Sequence, residues 1–194
     1  MGSASTSIGL LLVNAAAGFY LFIIILRFLL QATRADFFNP ISQFVVKATN
    51  APLMPLRKIV PGLFGLDISA LVLALAVELV AITLSLLIAG YPLPIANMVL
   101  WSLLGLVGLI LKLYFWGILI MVLASWLAPG NYNPALELLR QLTEPVLKPI
   151  RNILPDMGGF DISPIIAFVL IQVFEILLVT MARDTGAPGF IIGL

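Results

Sequence analysis

The chain has 194 residues, of which 62% are hydrophobic and 10% are charged, and its net charge is +1. A soluble domain has about a quarter charged residues, so this composition predicts an integral membrane protein surrounded by lipid. The sequence contains no cysteine and no histidine, which excludes disulfides, thiolate nucleophiles, typical zinc sites and histidine-based triads. So small a net charge gives no basic field for nucleic acid, and we expect no nucleic-acid partner.

Four apolar runs approach or exceed the roughly 20 residues that cross a bilayer as a helix. The first covers residues 8–30, and we expect it to be a retained helix because no basic residue precedes it, unlike a secretory signal. The second covers 68–89, the third 95–127 and the fourth 163–181. The third is long enough to tilt strongly, and we predict one helix there because no Gly-Pro break interrupts it.

The connectors after the first and third runs hold most of the positive charge. They contain Arg34, Lys47, Arg57 and Lys58 in the first connector and Arg140, Lys148 and Arg151 in the second. The turn between the second and third runs, residues 90–94, is short and uncharged. Because positive residues favour the cytoplasmic side, both long connectors are predicted to face the cytoplasm, with both termini on the opposite side.

A repeat with one constant spacing divides the chain into two copies, residues 1–94 and 95–194. The Asn-Pro pair at Asn39 recurs at Asn133, 94 residues later, and the other repeated residues keep this spacing. The repeated motif consists of Asn39, Pro40, Pro55, Pro61, Asp67 and Ser69 in the first copy and of Asn133, Pro134, Pro149, Pro155, Asp161 and Ser163 in the second. Because each copy crosses twice, both enter the membrane in the same direction, as a parallel repeat.

The sequence thus predicts an all-α membrane protein with four transmembrane helices in two parallel tandem repeats. Each repeat is predicted to consist of a helix, an amphipathic connector in the membrane interface and a second helix. Asn39 and Asn133 are predicted N-caps, each followed by a proline at the first helical position. Prolines on both sides of the repeated arginine predict that the next helical stretch has only one or two turns. Ser69 and Ser163 are predicted N-caps of the following spans.

Four ionisable residues lie within or near the apolar runs: Arg27, Glu78, Lys112 and Glu175. A charge in lipid is costly, so such residues usually face the protein interior or a water-filled path. One interpretation is an ion or proton route that uses the two glutamates. We favour the other, in which Lys112 pairs with Glu78 or Glu175 and Arg27 extends its guanidinium to the headgroups.

The connector arginines and the repeated aspartates are the remaining charged candidates. Arg57, Lys58, Lys148 and Arg151 are expected to contact lipid phosphate or a partner protein at headgroup level. The two aspartates could bind a cation around the pseudo-two-fold axis. We favour the alternative, in which each caps a helix or pairs with the arginine of its own connector.

Small and aromatic residues suggest packing rather than chemistry. Gly105, Gly108 and Gly117 are expected to let helices approach closely. Tyr91, Trp101 and Trp126 are typical of the aromatic belt at a membrane surface. No phosphate-binding loop, nucleophile elbow or carboxylate with a base beside it occurs, so we expect no enzyme, no metal site and no cofactor.

The doubled pattern Asn-Pro … Thr … Pro-Leu/Ile-Arg-x-Ile-x-Pro … Gly-x-Asp-Ile-Ser resembles the YggT family, called YlmG in Gram-positive bacteria. Residues 34–47 are especially similar to its proteobacterial members, and the resemblance covers essentially the whole chain. It implies a multi-pass protein of a bacterial inner (cytoplasmic) membrane. It also implies links to osmotic stress, ion homeostasis and cell division, or to cytochrome assembly and nucleoid distribution in plastids, but no catalytic or ligand-binding residues.

Three hypotheses of function follow. The first is a non-catalytic scaffold or assembly factor that acts through its connectors on anionic lipid or on division and assembly proteins. The second is an ion transport or channel component that uses Glu78, Lys112 and Glu175, for which four spans would require a homo-oligomer. The third is a factor that organises the division septum. A membrane enzyme would need a nucleophile and a base that this chain does not offer.

Overall fold

The computed structural model describes residues 4–63, 65–127, 133–155 and 161–194, and within these ranges it is all-helical. The six helices are α1 (Ala4–Ala32), α2 (Pro40–Ile59), α3 (Ile68–Ala89), α4 (Ile95–Leu127), α5 (Pro134–Ile153) and α6 (Ser163–Asp184). Helices α1, α3, α4 and α6 are long and apolar enough to cross a membrane. The predicted fold class is confirmed.

The third span is a single helix of 33 residues, as predicted. At 1.5 Å per residue α4 is about 50 Å long, which exceeds the roughly 30 Å thickness of the hydrocarbon core. It therefore crosses at a tilt or extends beyond the core at one end. Large apolar side chains such as Phe19, Val80, Leu103 and Ile176 lie exposed on the four spans, where lipid rather than water would surround them.

The connector helices reproduce the repeat in three dimensions. Helix α5 begins and ends 94 residues after α2 (134 minus 40, and 153 minus 59). The Asn39 side chain accepts a hydrogen bond from the Ile41 amide at 2.9 Å, and Asn133 accepts one from the Ala135 amide at 2.9 Å. Both predicted N-caps are confirmed.

The prediction that prolines shorten the connector helices is wrong. Pro52 and Pro55 lie inside α2, as Pro145 and Pro149 lie inside α5, and each helix runs for 20 residues. A proline inside a helix removes its own N–H bond and crowds the carbonyl four residues earlier, which costs about 3 kcal/mol but does not by itself end the helix. In α2 the stripe formed by Val45, Thr49 and Leu53 is buried, and this packing outweighs the lost bonds.

The predicted serine caps are also wrong. Asp67 is the N-cap of α3 and accepts a hydrogen bond from the Ala70 amide, whereas the Ser69 hydroxyl donates to the Val60 carbonyl at 2.6 Å. In the second repeat Asp161 accepts from the Ser163 amide at 2.9 Å. A carboxylate is the stronger acceptor, so in each repeat the aspartate holds the start of the span.

The two repeats share one core. Buried Leu106, Leu138 and Leu142 of the second repeat pack with buried residues of α1 and α3. The Asn39 amide group donates to the Pro134 carbonyl at 2.7 Å, so the connectors touch. Both connectors therefore lie at one end of the bundle, as a parallel repeat requires.

The segment after α6 folds back onto α3 and α4. Ile191 is 4% exposed and packs with Ile82, Leu86, Met98 and Trp101. Gly193, which has a φ of 91°, lies against the backbone of Gly105, and a side chain on Gly108 would collide with the Gly193 backbone. The close approach predicted at Gly105 and Gly108 exists, but the backbone that lies against both is that of the terminal segment, and only Gly105 also lies near another helix, at the Glu78 carboxylate of α3.

Trp101 is not a belt residue. Its side chain is buried and its indole N–H donates to the Thr185 hydroxyl at 2.9 Å, so it holds the start of the terminal segment. Tyr91 and Trp126 are exposed, as an interfacial position requires. Gly117 would bring a side chain only into ordinary contact with Thr143 and Leu139 of α5.

Candidate functional site

The first repeat holds an ion pair between the connector and the following span. The end of α2 brings the Arg57 guanidinium against the Asp67 carboxylate, which is 2% exposed. The same carboxylate caps α3. One side chain thus fixes both the direction of the connector and the start of the next span.

A second arginine completes this cluster. Arg27 of α1 donates from Nη1 to the Thr49 hydroxyl at 2.6 Å, to the side-chain oxygen Oδ1 of Asn50 at 2.8 Å and to the backbone carbonyl of Val46 at 3.0 Å. Its Nε lies 3.8 Å from Asp67 Oδ2.

The prediction that Arg27 extends to the headgroups is wrong, because its side chain is 4% exposed. Helix α2 offers three acceptors, and these make the buried position favourable.

The second repeat repeats the ion pair in a more open setting. Arg151 donates to Asp161 from Nε at 3.1 Å and from Nη2 at 2.9 Å, and to Glu144 from Nη1 at 3.0 Å. Partial burial raises the pKa of Asp161, but hydrogen bonds from Ser163 and Arg151 outweigh it, so that this pKa lies below its usual value. In both repeats the aspartate pairs with the arginine of its own connector. Asp67 is also the N-cap of α3, whereas Asp161 accepts a hydrogen bond from the Ser163 amide at the start of α6, whose N-cap is Ile162.

The repeats differ at two positions of this cluster. Met121 stands where the first repeat has Arg27 (27 plus 94), and Glu144 stands where it has Asn50 (50 plus 94). The first cluster contains two arginines and one aspartate, whereas the second contains one arginine, one aspartate and one glutamate. Their formal charges are thus +1 and −1.

A cavity of about 680 Å³ lies between α4, α5 and α6 at the second cluster. Thr143, Glu144, Arg151 and Asp161 form its polar wall, and Met121 and Phe168 belong to its apolar wall. In the described part of the chain no three His, Cys, Asp or Glu side chains come together in a group that could hold a metal ion.

Lys58 and Lys148 remain exposed at the connectors. Within the described ranges neither forms an ion pair, whereas the neighbouring arginines do. Large apolar side chains accompany them: Ile59 and its counterpart Ile153 are more than four-fifths exposed. The connectors therefore present a mixed basic and apolar surface.

The ionisable residues of the spans do not come together. Glu78 is fully buried, and neither of its carboxylate oxygens has a hydrogen-bond partner among the described residues. Lys112 and Glu175 are half-buried, and no ion pair joins either of them to another described residue. The predicted pairing of Lys112 with Glu78 or Glu175 is wrong.

Sequence reasoning did not identify Asn50 and Glu144 as members of the clusters. Both lie one residue after the repeated threonines Thr49 and Thr143. The available signal was the repeat itself. A charged residue that is present in only one of the two copies marks a place where the copies differ chemically. Gly159, the counterpart of Gly65, lies outside the described residues.

Comparison with known proteins agrees with this architecture. The chain matches the CCB3/YggT family twice, over residues 6–88 and 100–182, and these matches are again 94 residues apart. An uncharacterized protein of Pseudomonas aeruginosa, PA0392, is 43% identical over 172 residues, which cover 87% of each chain. An uncharacterized protein of Vibrio alginolyticus is 37% identical, over 86% of this chain and 91% of the relative.

The Escherichia coli protein named YggT, also called uncharacterized, is 35% identical over 90% of this chain and 91% of its own. No solved structure matches significantly. The family match covers most of both repeats, and four helices are suited to cross a membrane. The chain is therefore a multi-pass membrane protein that belongs to the CCB3/YggT family.

Proposed function

We propose that this protein is a non-catalytic scaffold or assembly factor of the bacterial inner membrane, and that its connectors bind partner proteins on the cytoplasmic side. The observation that supports this most is the pair of rigid connectors. In each repeat an Arg–Asp ion pair joins the connector helix to the following span, and the connector presents an exposed lysine and an exposed isoleucine, which are adjacent in the first repeat as Lys58 and Ile59. Charged and apolar groups held together in this way favour recognition over chemistry.

Photo-crosslinking in intact cells tests this proposal. A photo-reactive phenylalanine analogue at position 59 or 153 is expected to give discrete protein adducts, which Lys58→Glu together with Lys148→Glu removes. Arg183→Glu is the matched control, because Arg183 is exposed at the far end of α6. Adducts that are absent, or that persist in the Lys58→Glu, Lys148→Glu variant, contradict the proposal.

The proposed orientation has its own test. Because the chain has no cysteine, single cysteines at positions 58, 148 and 91 can be labelled separately in cells. Cysteines at positions 58 and 148 are expected to react with an impermeant maleimide only after the inner membrane has been permeabilised. A cysteine at position 91 is expected to react while that membrane is still intact. The reverse pattern contradicts the cytoplasmic placement of the connectors.

Glu78 supports a second candidate, an ion or proton pathway. A fully buried carboxyl without a hydrogen-bond partner is costly, and such groups inside membranes often mark ion routes. Purified protein in liposomes would then carry an ion or proton flux that Glu78→Gln changes. A flat flux across protons and several cations, for the wild type and the variant alike, excludes this candidate.

A further inference from the structure

The cavity of the second repeat occupies the place that an arginine fills in the first. In the first repeat the Arg27 guanidinium is surrounded by Thr49, Asn50 and Asp67. The counterparts of these three residues, Thr143, Glu144 and Asp161, all line the cavity of about 680 Å³. Arg27 itself is replaced by Met121, which also lines it. The second repeat therefore keeps the acceptors and lacks the cation.

Thr143 keeps the orientation in which its counterpart accepts a hydrogen bond. The Thr49 hydroxyl donates to the Val45 carbonyl at 2.6 Å and accepts from Arg27 at 2.6 Å. The Thr143 hydroxyl likewise donates to the Leu139 carbonyl at 2.9 Å, and 139 is 45 plus 94. Thr143 is 2% exposed, and no donor of the described residues bonds to its oxygen. A buried acceptor at the cavity wall is thus left without its donor.

The charges of the cavity specify the missing group. Arg151 balances one of the two carboxylates of Glu144 and Asp161, which leaves one negative charge. A positively charged group with N–H donors would be attracted by this negative charge and would bond to Thr143. Arg151 has five N–H donors, of which three bond to Glu144 and Asp161. Within the described residues the other two bond to no acceptor, so they can donate hydrogen bonds to an anionic group of the same ligand, whose charge is balanced by the ligand's own cation.

The apolar wall indicates where the rest of that ligand lies. Ile165 and Trp126 line the cavity and are exposed at its edge, on two helices long enough to span the membrane. An acyl chain can therefore lie along α4 and α6 while the headgroup enters the cavity. Ammonium, phosphate and acyl chain together describe one class of molecule.

We propose that this cavity binds a phospholipid with a primary-ammonium headgroup, such as phosphatidylethanolamine. The ammonium bonds to Glu144 and Thr143 where the first repeat places its own guanidinium, and the phosphate contacts Arg151. A choline headgroup has no N–H donor, and a glycerol headgroup has no positive charge. Both should bind more weakly. This site does not depend on the proposed scaffold function.

Native mass spectrometry of the purified full chain, with phosphatidylethanolamine, phosphatidylcholine and phosphatidylglycerol of identical acyl chains, tests the proposal. Phosphatidylethanolamine is expected to bind preferentially, and Glu144→Gln to weaken that binding by about ten-fold or more, since charge-assisted hydrogen bonds are lost. Glu137→Gln is the matched control, because this carboxylate of the same helix pairs with Arg140 and does not line the cavity.

A second variant fills the cavity from within. Met121→Arg with Glu144→Asn gives the second repeat the residues of the first, so it is expected to raise the melting temperature and to abolish the preference for phosphatidylethanolamine. Equal binding of the three lipids, or an unchanged preference in Glu144→Gln, overturns the proposal. Soluble phosphoethanolamine that binds as tightly as the lipid overturns the assignment to a lipid.

Discussion

The guanidinium of Arg57 is paired with the carboxylate of Asp67, and only 2% of the Asp67 side chain is exposed. The equivalent carboxylate of Asp161 is paired with Arg151 but is 41% exposed. The same two residue types, at the same spacing in two repeats, thus form one ion pair whose carboxylate is buried and one whose carboxylate is exposed, while the arginine is exposed in both. Their contributions to the free energy of unfolding should differ accordingly.

We expect Asp67→Asn to lower the free energy of unfolding by about 3–5 kcal/mol, because the buried Arg27 then lacks its counter-charge and the exposed Arg57 loses its partner. Asp161→Asn should cost about 1 kcal/mol or less, because water screens that pair. Denaturant unfolding in detergent, followed by circular dichroism, measures both. Equal losses in the two variants would contradict the expectation that the buried carboxylate contributes more to stability than the exposed one.

The Glu137 carboxyl in the first turn of α5 should make the stability of the protein depend on pH. Hydrogen bonds from Arg140 and Gln141 lower the pKa of Glu137 from 4.5 to about 2. A carboxyl whose pKa is lower in the folded state stabilises that state fully above pH 4.5, and this contribution disappears as the pH falls towards 2. The melting temperature should therefore fall over this window.

Glu137→Gln should flatten this dependence without abolishing it. Asp161 also has a lowered pKa, and its protonation removes a further stabilising interaction in the same direction. Melting curves between pH 6 and pH 2.5, recorded for the wild type and the Glu137→Gln variant, test the assignment. Identical curves for the two proteins would assign the acid sensitivity to other groups.

The sequence predicted the helices better than it predicted the partners of their charges. Hydropathy and the repeat spacing of 94 residues are properties of whole segments, so they predicted the four spans and the two connectors correctly. The contacts of Arg27 depend on how α2 crosses α1, which no local pattern specifies. The expectation that Arg27 extends to the headgroups failed for this reason.

The proline and serine errors have a common cause. Both applied a local preference where tertiary packing decides the outcome. The buried stripe of Val45, Thr49 and Leu53 holds α2 together past Pro52. From the repeated Asp-Ile-Ser sequence alone, either Asp67 or Ser69 could be the N-cap of α3. In the folded protein Asp67 is the N-cap, and its carboxylate also pairs with the Arg57 guanidinium.

The terminal segment should be displaced by a side chain at Gly108. Leucine there collides with the Gly193 backbone, and overpacking of this kind costs about 1–3 kcal/mol. A cysteine at position 191, buried in the wild type, should then react with a maleimide on the order of ten-fold faster. Gly117→Ala, which meets only ordinary contacts, is the control and should leave the rate unchanged.

The buried Glu78 carboxyl should lower the free energy of unfolding of the protein. Both carboxylate oxygens are buried, and no residue that the structure describes bonds to them. A side chain on Gly105 would approach Oε1 to 3.1 Å, so the group lies against α4. Methionine has a similar shape and needs no partner, and we expect Glu78→Met to raise the free energy of unfolding by about 1–3 kcal/mol. Denaturant unfolding in the detergent used for the wild type measures the change.

Thr83→Val is a suitable control, because Thr83 lies on the same helix and its hydroxyl bonds only to the Leu79 carbonyl within the helix. Its removal should change stability little. If Glu78→Met is destabilising instead, the carboxyl has a structural partner in the folded protein. A stabilising effect means that the chain keeps a costly carboxyl which its fold does not need, and this would favour a role for Glu78 in moving an ion or proton.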